Sequence, residues 1–63
     1  MELSIKGART EAGFTQKETA SALGINKNTY ISYEKYRTVP DVGIAKRMAA
    51  LFGRSVDEIK WTV

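Results

Sequence analysis

The sequence predicts an all-α fold, with five short helices in one small domain, 1–63. Two observations lead to this prediction. Apolar residues recur at intervals of three and four, and residues that begin or end helices separate the apolar stretches. Because the two signals agree along the chain, each strengthens the other. The helices are expected at about residues 3–12, 16–23, 27–35, 42–52 and 56–60.

The first two helices are defined by an apolar stripe and a capping pattern. In the first helix, Ile5, Ala8 and Ala12 recur at the spacing of a half-buried helix, and a glycine follows. Thr15, with Glu18 three residues later, forms a capping box. In a capping box the two side chains satisfy free N–H groups at the start of a helix, so a second helix is expected to begin at residue 16.

Capping residues also separate the remaining helices. Gly24 ends the second helix, and Asn26 begins the third. Asp41 is a suitable N-cap for the fourth, and the stretch from Ser55 to Glu58 resembles a second capping box. The residues expected to face the core in the last two helices are Val42, Ala45, Met48, Ala49, Phe52, Val56 and Ile59.

Composition limits the classes of protein to be considered. The 63 residues include no cysteine and no histidine, so disulfides, thiolate metal sites and the commonest general base are absent. The net charge is +3, and basic residues prevail in the first forty positions, which suggests a face held toward a polyanion. A mixed solvated surface explains the charge equally well. No apolar run is long enough to span a membrane, so we expect a soluble intracellular protein without metal or cofactor.

The stretch from Gln16 to Tyr33 forms a unit of its own. Two short helices are joined by Gly24-Ile25-Asn26, and a small residue, Ala20, lies where the helices approach most closely. A glycine turn and a small contact residue allow a steep crossing, with Leu23 and Ile25 inside the corner. This pattern is typical of a helix-turn-helix, in which the second helix lies in the major groove of DNA.

The chain also contains a series of residues that match a known pattern: Phe14-Thr15-Gln16, Glu18, Ala20, Leu23-Gly24, Glu34, Pro40, Phe52-Gly53, Ser55 and Asp57-Glu58. Together they resemble the motifs of the lambdoid-phage Cro and repressor class, also called the xenobiotic-response-element family. The resemblance extends from about Ile5 to Ile59 and implies a lambda-repressor-like DNA-binding domain of a sequence-specific transcriptional regulator in the bacterial cytoplasm or nucleoid. It further implies a repressor of phage or mobile-element type that acts by occupying its operator.

Residues of the third helix are the candidates for reading bases. Lys27, Asn28, Ile31, Ser32 and Lys35 share one face at helical spacing. The amide of Asn28 suits adenine, the amine of Lys27 suits guanine or a phosphate, and Ile31 suits a thymine methyl. The resemblance places base reading at Lys27, Asn28 and Ser32. On the opposite side, the residues expected toward the core are Thr29, Tyr30 and Tyr33.

Phosphate contacts are expected along the rim of the motif. The resemblance implies that Gln16 clamps the DNA backbone, and free N–H groups at the start of its helix face the same strand. It also implies an ion pair between Arg9 and Glu34, either partly buried or exposed, with Arg9 near a phosphate. The candidates for phosphate contacts are Gln16, Thr15, Asn26, Arg9, Lys35 and Arg37.

The sequence departs from the family pattern at two places. The family normally has leucine at position 19 and isoleucine or valine at position 30, whereas this chain has Thr19 and Tyr30. We expect Tyr30 to fill the space that Thr19 leaves, with its hydroxyl bonded to Thr19 or to solvent. At Lys35-Tyr36 the family often has Asn-Gly, so the end of the third helix is expected to differ.

Double-stranded DNA and a second copy of the chain are the expected partners. Ile44, Leu51, Trp61 and Val63 suit a dimer surface, although Trp61 equally suits a lid on the small core. An alternative is a module of the same fold that acts mainly through protein contacts, as in an antitoxin or a bridging factor. An enzyme with a small-molecule substrate is disfavoured, because capping and ion pairing account for the candidate carboxylates.

Overall fold

The structure, a computed structural model, describes residues 2–62 and contains four α-helices in that range. Each helix begins at a side chain that accepts a hydrogen bond from a free helical N–H group: Ser4, Thr15, Asn26 and Asp41. No helix in the described range is long and apolar enough to cross a membrane. The helices are α1 (Ile5–Ala12), α2 (Gln16–Leu23), α3 (Lys27–Glu34) and α4 (Val42–Phe52).

The two ends of the described chain pair as strands, which corrects the prediction of five helices. The expected fifth helix is only a 3-10 turn, Val56–Glu58. It is followed by β2 (Ile59–Lys60), which runs parallel to β1 (Leu3–Ser4), with Leu3 opposite Ile59. Residue 3 is therefore in a strand and not in α1. A five-residue helix closes few hydrogen bonds for the residues it fixes, whereas pairing satisfies the backbone of both segments.

A single apolar core lies between the four helices and the strand pair. Its largest fully buried side chains include Tyr30, Ile5, Met48 and Ile59. Val42, which was expected to face inward, is 70% exposed, so this part of the prediction was wrong. It occupies the first position of α4, and the buried stripe of that helix begins one turn later. The buried core cluster is Ile5, Ala8, Ala20, Leu23, Tyr30, Met48, Ala49, Phe52 and Ile59.

Candidate nucleic-acid interface

Helices α2 and α3 form a helix-turn-helix with a glycine at the corner. Gly24 adopts the left-handed conformation, with φ of 71°, and the N–H of Ile25 donates to the carbonyl of Ala20 at 3.0 Å. Ala20 and Leu23 are each only 3% exposed, and Ile25 packs against the core. The small side chain and the left-handed glycine therefore lie where the sequence predicted the turn between two packed helices.

The two sides of α3 differ sharply in exposure. Lys27 and Asn28 are exposed in its first turn, whereas Tyr30 is fully buried. Tyr33 is half-buried against the core, but Thr29 is exposed, so the prediction of an inward Thr29 was wrong. Thr29 lies in the first turn, where the helix extends beyond the packed part of the core. The remaining residues of the predicted reading face are half-buried Ile31 and Ser32, and exposed Lys35.

Much of the hydrogen-bonding capacity on the outer side of α3 is open. Within residues 2–62, the side chains of Lys27 and Asn28 form no hydrogen bond or ion pair. The hydroxyl of Ser32 donates to the carbonyl of Asn28 at 3.2 Å, which leaves its oxygen lone pairs as acceptors. This surface therefore offers an amine, an amide and a hydroxyl to a partner.

A buried carboxylate anchors the opposite side of α3. Glu34 Oε2 accepts from Arg9 Nε and from the Tyr30 hydroxyl, both at 2.6 Å. Its other oxygen, Oε1, accepts from Gln16 Nε2 at 2.9 Å. The side chains of Arg9 and Glu34 are 12% and 5% exposed, and Arg9 Nη1 also donates to the carbonyl of Phe14 at 2.8 Å. The ion pair is thus partly buried, and it joins α1, α2 and α3. We call Arg9, Gln16, Tyr30 and Glu34 the Glu34 cluster.

The ionisation of the Glu34 cluster follows from these contacts. Burial raises the pKa of Glu34, but hydrogen bonds from Arg9, Tyr30 and Gln16 outweigh it and hold the pKa below its ordinary value. The hydrogen bond to Glu34 raises the pKa of Arg9. Burial, followed by the hydrogen bond to the carboxylate, raises the pKa of Tyr30. At neutral pH the cluster therefore holds a carboxylate, a guanidinium and a neutral phenol.

The sequence did not predict that Tyr30 and Gln16 bond to Glu34. The phenol was expected to bond Thr19 or solvent, but the Thr19 hydroxyl donates to the Thr15 carbonyl at 2.9 Å. Tyr30 and Glu34 are four residues apart, so their helical spacing was the available signal. For Gln16 no such signal exists, because its contact joins residues 18 positions apart.

The remaining rim candidates differ in their freedom to bind phosphate. Thr15 and Asn26 are exposed, but each oxygen already accepts a capping hydrogen bond. Lys35 and Arg37 are exposed and form no ion pair within the described residues. The structure thus brings Arg9 and Gln16 together at Glu34, and it places the other four candidates on the surface.

The turn after α3 ends at Tyr36, which takes the place of the family's usual glycine. The sequence indicated that this end would differ from the family pattern, but not how. Its φ is 58°, and the N–H of Arg37 donates to the carbonyl of Ser32, which closes α3 without glycine. The Tyr36 hydroxyl donates to the carbonyl of Lys60 at 2.9 Å. Packing of the phenol against the core and this bond accompany a conformation that tyrosine rarely adopts.

The apolar residues near the end of the chain pack against the core. Trp61 is half-buried, and its indole N–H donates to the carbonyl of Val56 at 3.0 Å. Ile44 and Leu51 are likewise half-buried against the core. Val63, the fourth residue of the predicted dimer surface, lies outside the described residues.

Fold and site together define a helix-turn-helix domain, with an open face on α3 and a buried anchor behind it. Comparison with known proteins agrees: the family model described as helix-turn-helix matches residues 5–59. The chain belongs to this family, in its Cro- and repressor-type branch.

Curated relatives give the particulars of the family. The chain is 33% identical over 55 residues to the cryptic phage CTXphi transcriptional repressor RstR of Vibrio cholerae, covering 87% of this chain and 50% of that protein. It is 38% identical over 53 residues to the transcriptional regulator ImmR of Bacillus subtilis, covering 84% and 42%. An uncharacterized helix-turn-helix regulator of Methanothermobacter thermautotrophicus is 39% identical over 54 residues, covering 86% and 78%. The chain thus spans about half the length of the first two relatives, and no solved structure matches.

Proposed function

We propose that this chain is a sequence-specific DNA-binding domain of a transcriptional regulator, a repressor of phage or mobile-element type that occupies an operator. One observation carries the proposal: α3 presents an open polar and basic face, while its other side is fixed by the Glu34 cluster. A helix held this way matches the recognition helix of a helix-turn-helix in the major groove. Such a regulator acts in the bacterial cytoplasm or nucleoid, where its operator lies.

The exposed first turn of α3 supplies the base contacts. Asn28 reads adenine through a bidentate amide contact, and Lys27 binds guanine O6 and N7 or a phosphate. One turn later, Ile31 meets a thymine methyl, and Ser32 accepts a hydrogen bond from an exocyclic amine. The half-buried state of these last two side chains restricts their conformations and supports a fixed contact.

The phosphate contacts surround this face. Gln16 keeps one amide proton and its carbonyl oxygen after bonding Glu34, and Arg9 keeps the Nη2 amine, which forms no hydrogen bond within residues 2–62. Free N–H groups at the start of α2 add to the attraction for an anion. The surface residues that complete the rim are Thr15, Asn26, Lys35 and Arg37.

Two copies of the chain are needed for useful affinity, because one recognition helix reads only a few base pairs. We infer a homodimer on two half-sites about one helical turn apart. The half-buried residues Ile44, Leu51 and Trp61 are the candidates for its surface. Sedimentation in the presence of a two-half-site duplex tests this: one copy per duplex at saturation contradicts the dimer.

The alternative, a module that acts mainly through protein contacts, is disfavoured by the polar character of α3. A protein-binding groove would be more apolar than a face with exposed Lys27 and Asn28. Titration with mixed-sequence duplex separates the two functions, because affinity for DNA falls steeply with salt. Binding that is absent at low salt contradicts the proposal.

A sharper experiment combines site selection with substitutions. Selection from a random duplex pool gives the operator, and Lys27→Ala and Asn28→Ala are then measured on it. Each is expected to cost about 1–3 kcal/mol of binding free energy. Lys60→Ala is the matched control, since Lys60 is an exposed lysine on β2, outside the motif. Equal losses for Lys27→Ala and Lys60→Ala contradict base reading by α3.

A further inference from the structure

The hydroxyl of Tyr30 is a buried polar group that the packing of α3 does not require. Tyr30 has no exposed surface, and a phenylalanine ring would fill the same space. Burying a hydroxyl is unfavourable unless it is hydrogen-bonded, and here its bond goes to Glu34 at 2.6 Å. The hydroxyl therefore acts through its hydrogen bond to the Glu34 carboxylate and not through packing.

The Tyr30 hydroxyl limits how the carboxylate can turn. Oε2 of Glu34 is held by two donors, Arg9 Nε and the phenol, each at 2.6 Å. A carboxylate is planar, so fixing Oε2 from two directions sets the position of Oε1. That second oxygen holds the side-chain amide of Gln16 at 2.9 Å. The phenol and the amide thus act on opposite oxygens of one rigid group.

Arginine has a competing arrangement available. A guanidinium commonly binds a carboxylate through two parallel N–H groups, one to each oxygen. Arg9 uses only Nε on Glu34, while Nη1 is held by the carbonyl of Phe14, and Nη2 forms no hydrogen bond within residues 2–62. Without the phenol, Nε and Nη2 can take both oxygens. The carboxylate then turns Oε1 toward Nη2 and away from the amide of Gln16.

We propose that Tyr30 is a positioning residue for the contact between Gln16 and a DNA phosphate. By sharing Oε2 with Arg9, its hydroxyl keeps Oε1 on Gln16, so that the remaining amide proton of Gln16 is presented to the DNA backbone at the start of α2. This inference rests on the proposed function, in which Gln16 contacts a phosphate. Tyr30 itself touches no DNA and acts through Glu34.

A double-mutant cycle on operator affinity tests the inference. The variants are Tyr30→Phe, Gln16→Ala and the pair together, measured where circular dichroism shows each to be folded. Gln16→Ala is expected to weaken binding about tenfold, and Tyr30→Phe about threefold to tenfold. The pair should bind no more weakly than Gln16→Ala alone, because Tyr30 acts through Gln16. Additive losses, or wild-type affinity for Tyr30→Phe, overturn the inference.

Tyr33→Phe is the matched control. Tyr33 lies on the same helix and is half-buried against the core, but its hydroxyl forms no hydrogen bond within residues 2–62. We expect its affinity to stay within about twofold of wild type, since no bond is lost. If Tyr33→Phe weakens binding as much as Tyr30→Phe, the effect does not depend on the bond to Glu34, and the inference is overturned.

The side-chain amide resonances of Gln16 give a readout without DNA. In the free protein, Tyr30→Phe should shift these resonances, whereas Tyr33→Phe should not. If Gln16→Ala leaves affinity unchanged, the phosphate contact fails, and the inference falls with it, whatever the resonances show. If Gln16→Ala weakens binding but Tyr30→Phe moves neither the resonances nor the affinity, only the inference fails.

A second variant keeps the test decisive should Tyr30→Phe not fold. The pair Thr19→Leu and Tyr30→Ile exchanges volume between two fully buried positions and also removes the phenol. The same loss of affinity, again not additive with Gln16→Ala, is expected. Additivity in this background overturns the inference equally.

Discussion

Two arginine–glutamate clusters on this small domain differ in almost everything but their chemistry. Arg9 and Glu34 lie between three helices, with side chains 12% and 5% exposed. Arg54 instead contacts Glu11 and Glu58 at the surface, where the three side chains are 32%, 55% and 49% exposed. The surface cluster joins the end of α1 to the turn after α4. The buried cluster joins α1, α2 and α3 directly behind the proposed reading face.

The difference in burial determines what each cluster can do. Water screens an exposed ion pair, so such pairs add little to stability. Forming a buried pair requires the free energy of removing both charges from water. Removing one partner then leaves the other charge buried with neither water nor a counter-ion, which is strongly destabilising. Within residues 2–62, every buried side-chain nitrogen and oxygen has a hydrogen-bond partner, so no buried polar atom of the Glu34 cluster is left unsatisfied. The buried cluster therefore fixes how α1, α2 and α3 are placed, whereas the surface cluster adds only a little stability.

Removing the buried carboxylate is expected to have the largest effect. Glu34→Ala leaves Arg9 Nε, the Tyr30 hydroxyl and the Gln16 amide without their acceptor, and we expect a loss of about 3 kcal/mol in the free energy of unfolding. In a 63-residue domain this is a large share of total stability. Urea unfolding at low temperature measures it, with Glu11→Ala as the exposed control. If both variants lost the same free energy of unfolding, burial would not distinguish the two clusters.

Acid is expected to weaken the buried cluster in a predictable direction. The pKa of Glu34 lies below its ordinary value in the folded chain, so its contribution is fully present above the unfolded pKa of about 4.3. The contribution is lost as pH falls through the folded pKa. The stability gap between wild type and Glu34→Gln should therefore be constant from pH 7 to 5 and shrink toward pH 3. Because Glu58, whose pKa is also lowered, is present in both proteins, its titration cancels. A gap that widens in acid contradicts this assignment.

The sequence predicted the helix starts and the turn of the motif better than the buried anchor behind α3. Capping by Thr15 and Asn26 and the glycine turn depend on residues that are close together in the chain, so the sequence alone is enough to predict them. The Arg9–Glu34 pair came from family resemblance alone. The bond from Tyr30 to the same carboxylate lies within α3, where a spacing of four residues was an available but unused signal. The bond from Gln16 depends on how α2 and α3 meet, which no spacing within one helix encodes.

The same reasoning explains the error at the end of the chain. Ser55 and Glu58 looked like a second capping box, and the Glu58 carboxylate does accept from the Ser55 N–H at 2.9 Å. Glu58 N–H, however, donates to the Ser55 carbonyl and closes only a 3-10 turn. Pairing with Leu3, 56 positions away, then takes Ile59 into a strand. A cap predicts where a helix can begin, but not whether tertiary pairing lets it continue.

Thr19→Leu is expected to have an intermediate effect by crowding the interior. Thr19 and Tyr30 have no exposed surface, so added volume at position 19 meets a filled interior. We expect overpacking to cost about 1–3 kcal/mol in the free energy of unfolding, and Tyr30→Ile in the same chain to recover part of it. Thermal melts measure both, with Thr19→Val as the control of similar size. An unchanged or raised melting temperature for Thr19→Leu contradicts the compensation between these positions.

Arg54→Ala is expected to have the smallest effect, because it breaks only the surface cluster. It removes the contacts to Glu11 and Glu58, but Glu58 keeps its hydrogen bonds from Ser55, which are the main cause of its lowered pKa. We expect the melting temperature to fall by less than about 5 °C at low salt, and by less still in 1 M salt, which screens exposed charges. Lys60→Ala controls for the change in net charge. A fall as large as that of Glu34→Ala would show that three half-exposed side chains act cooperatively, and burial would then no longer explain the contrast between the clusters.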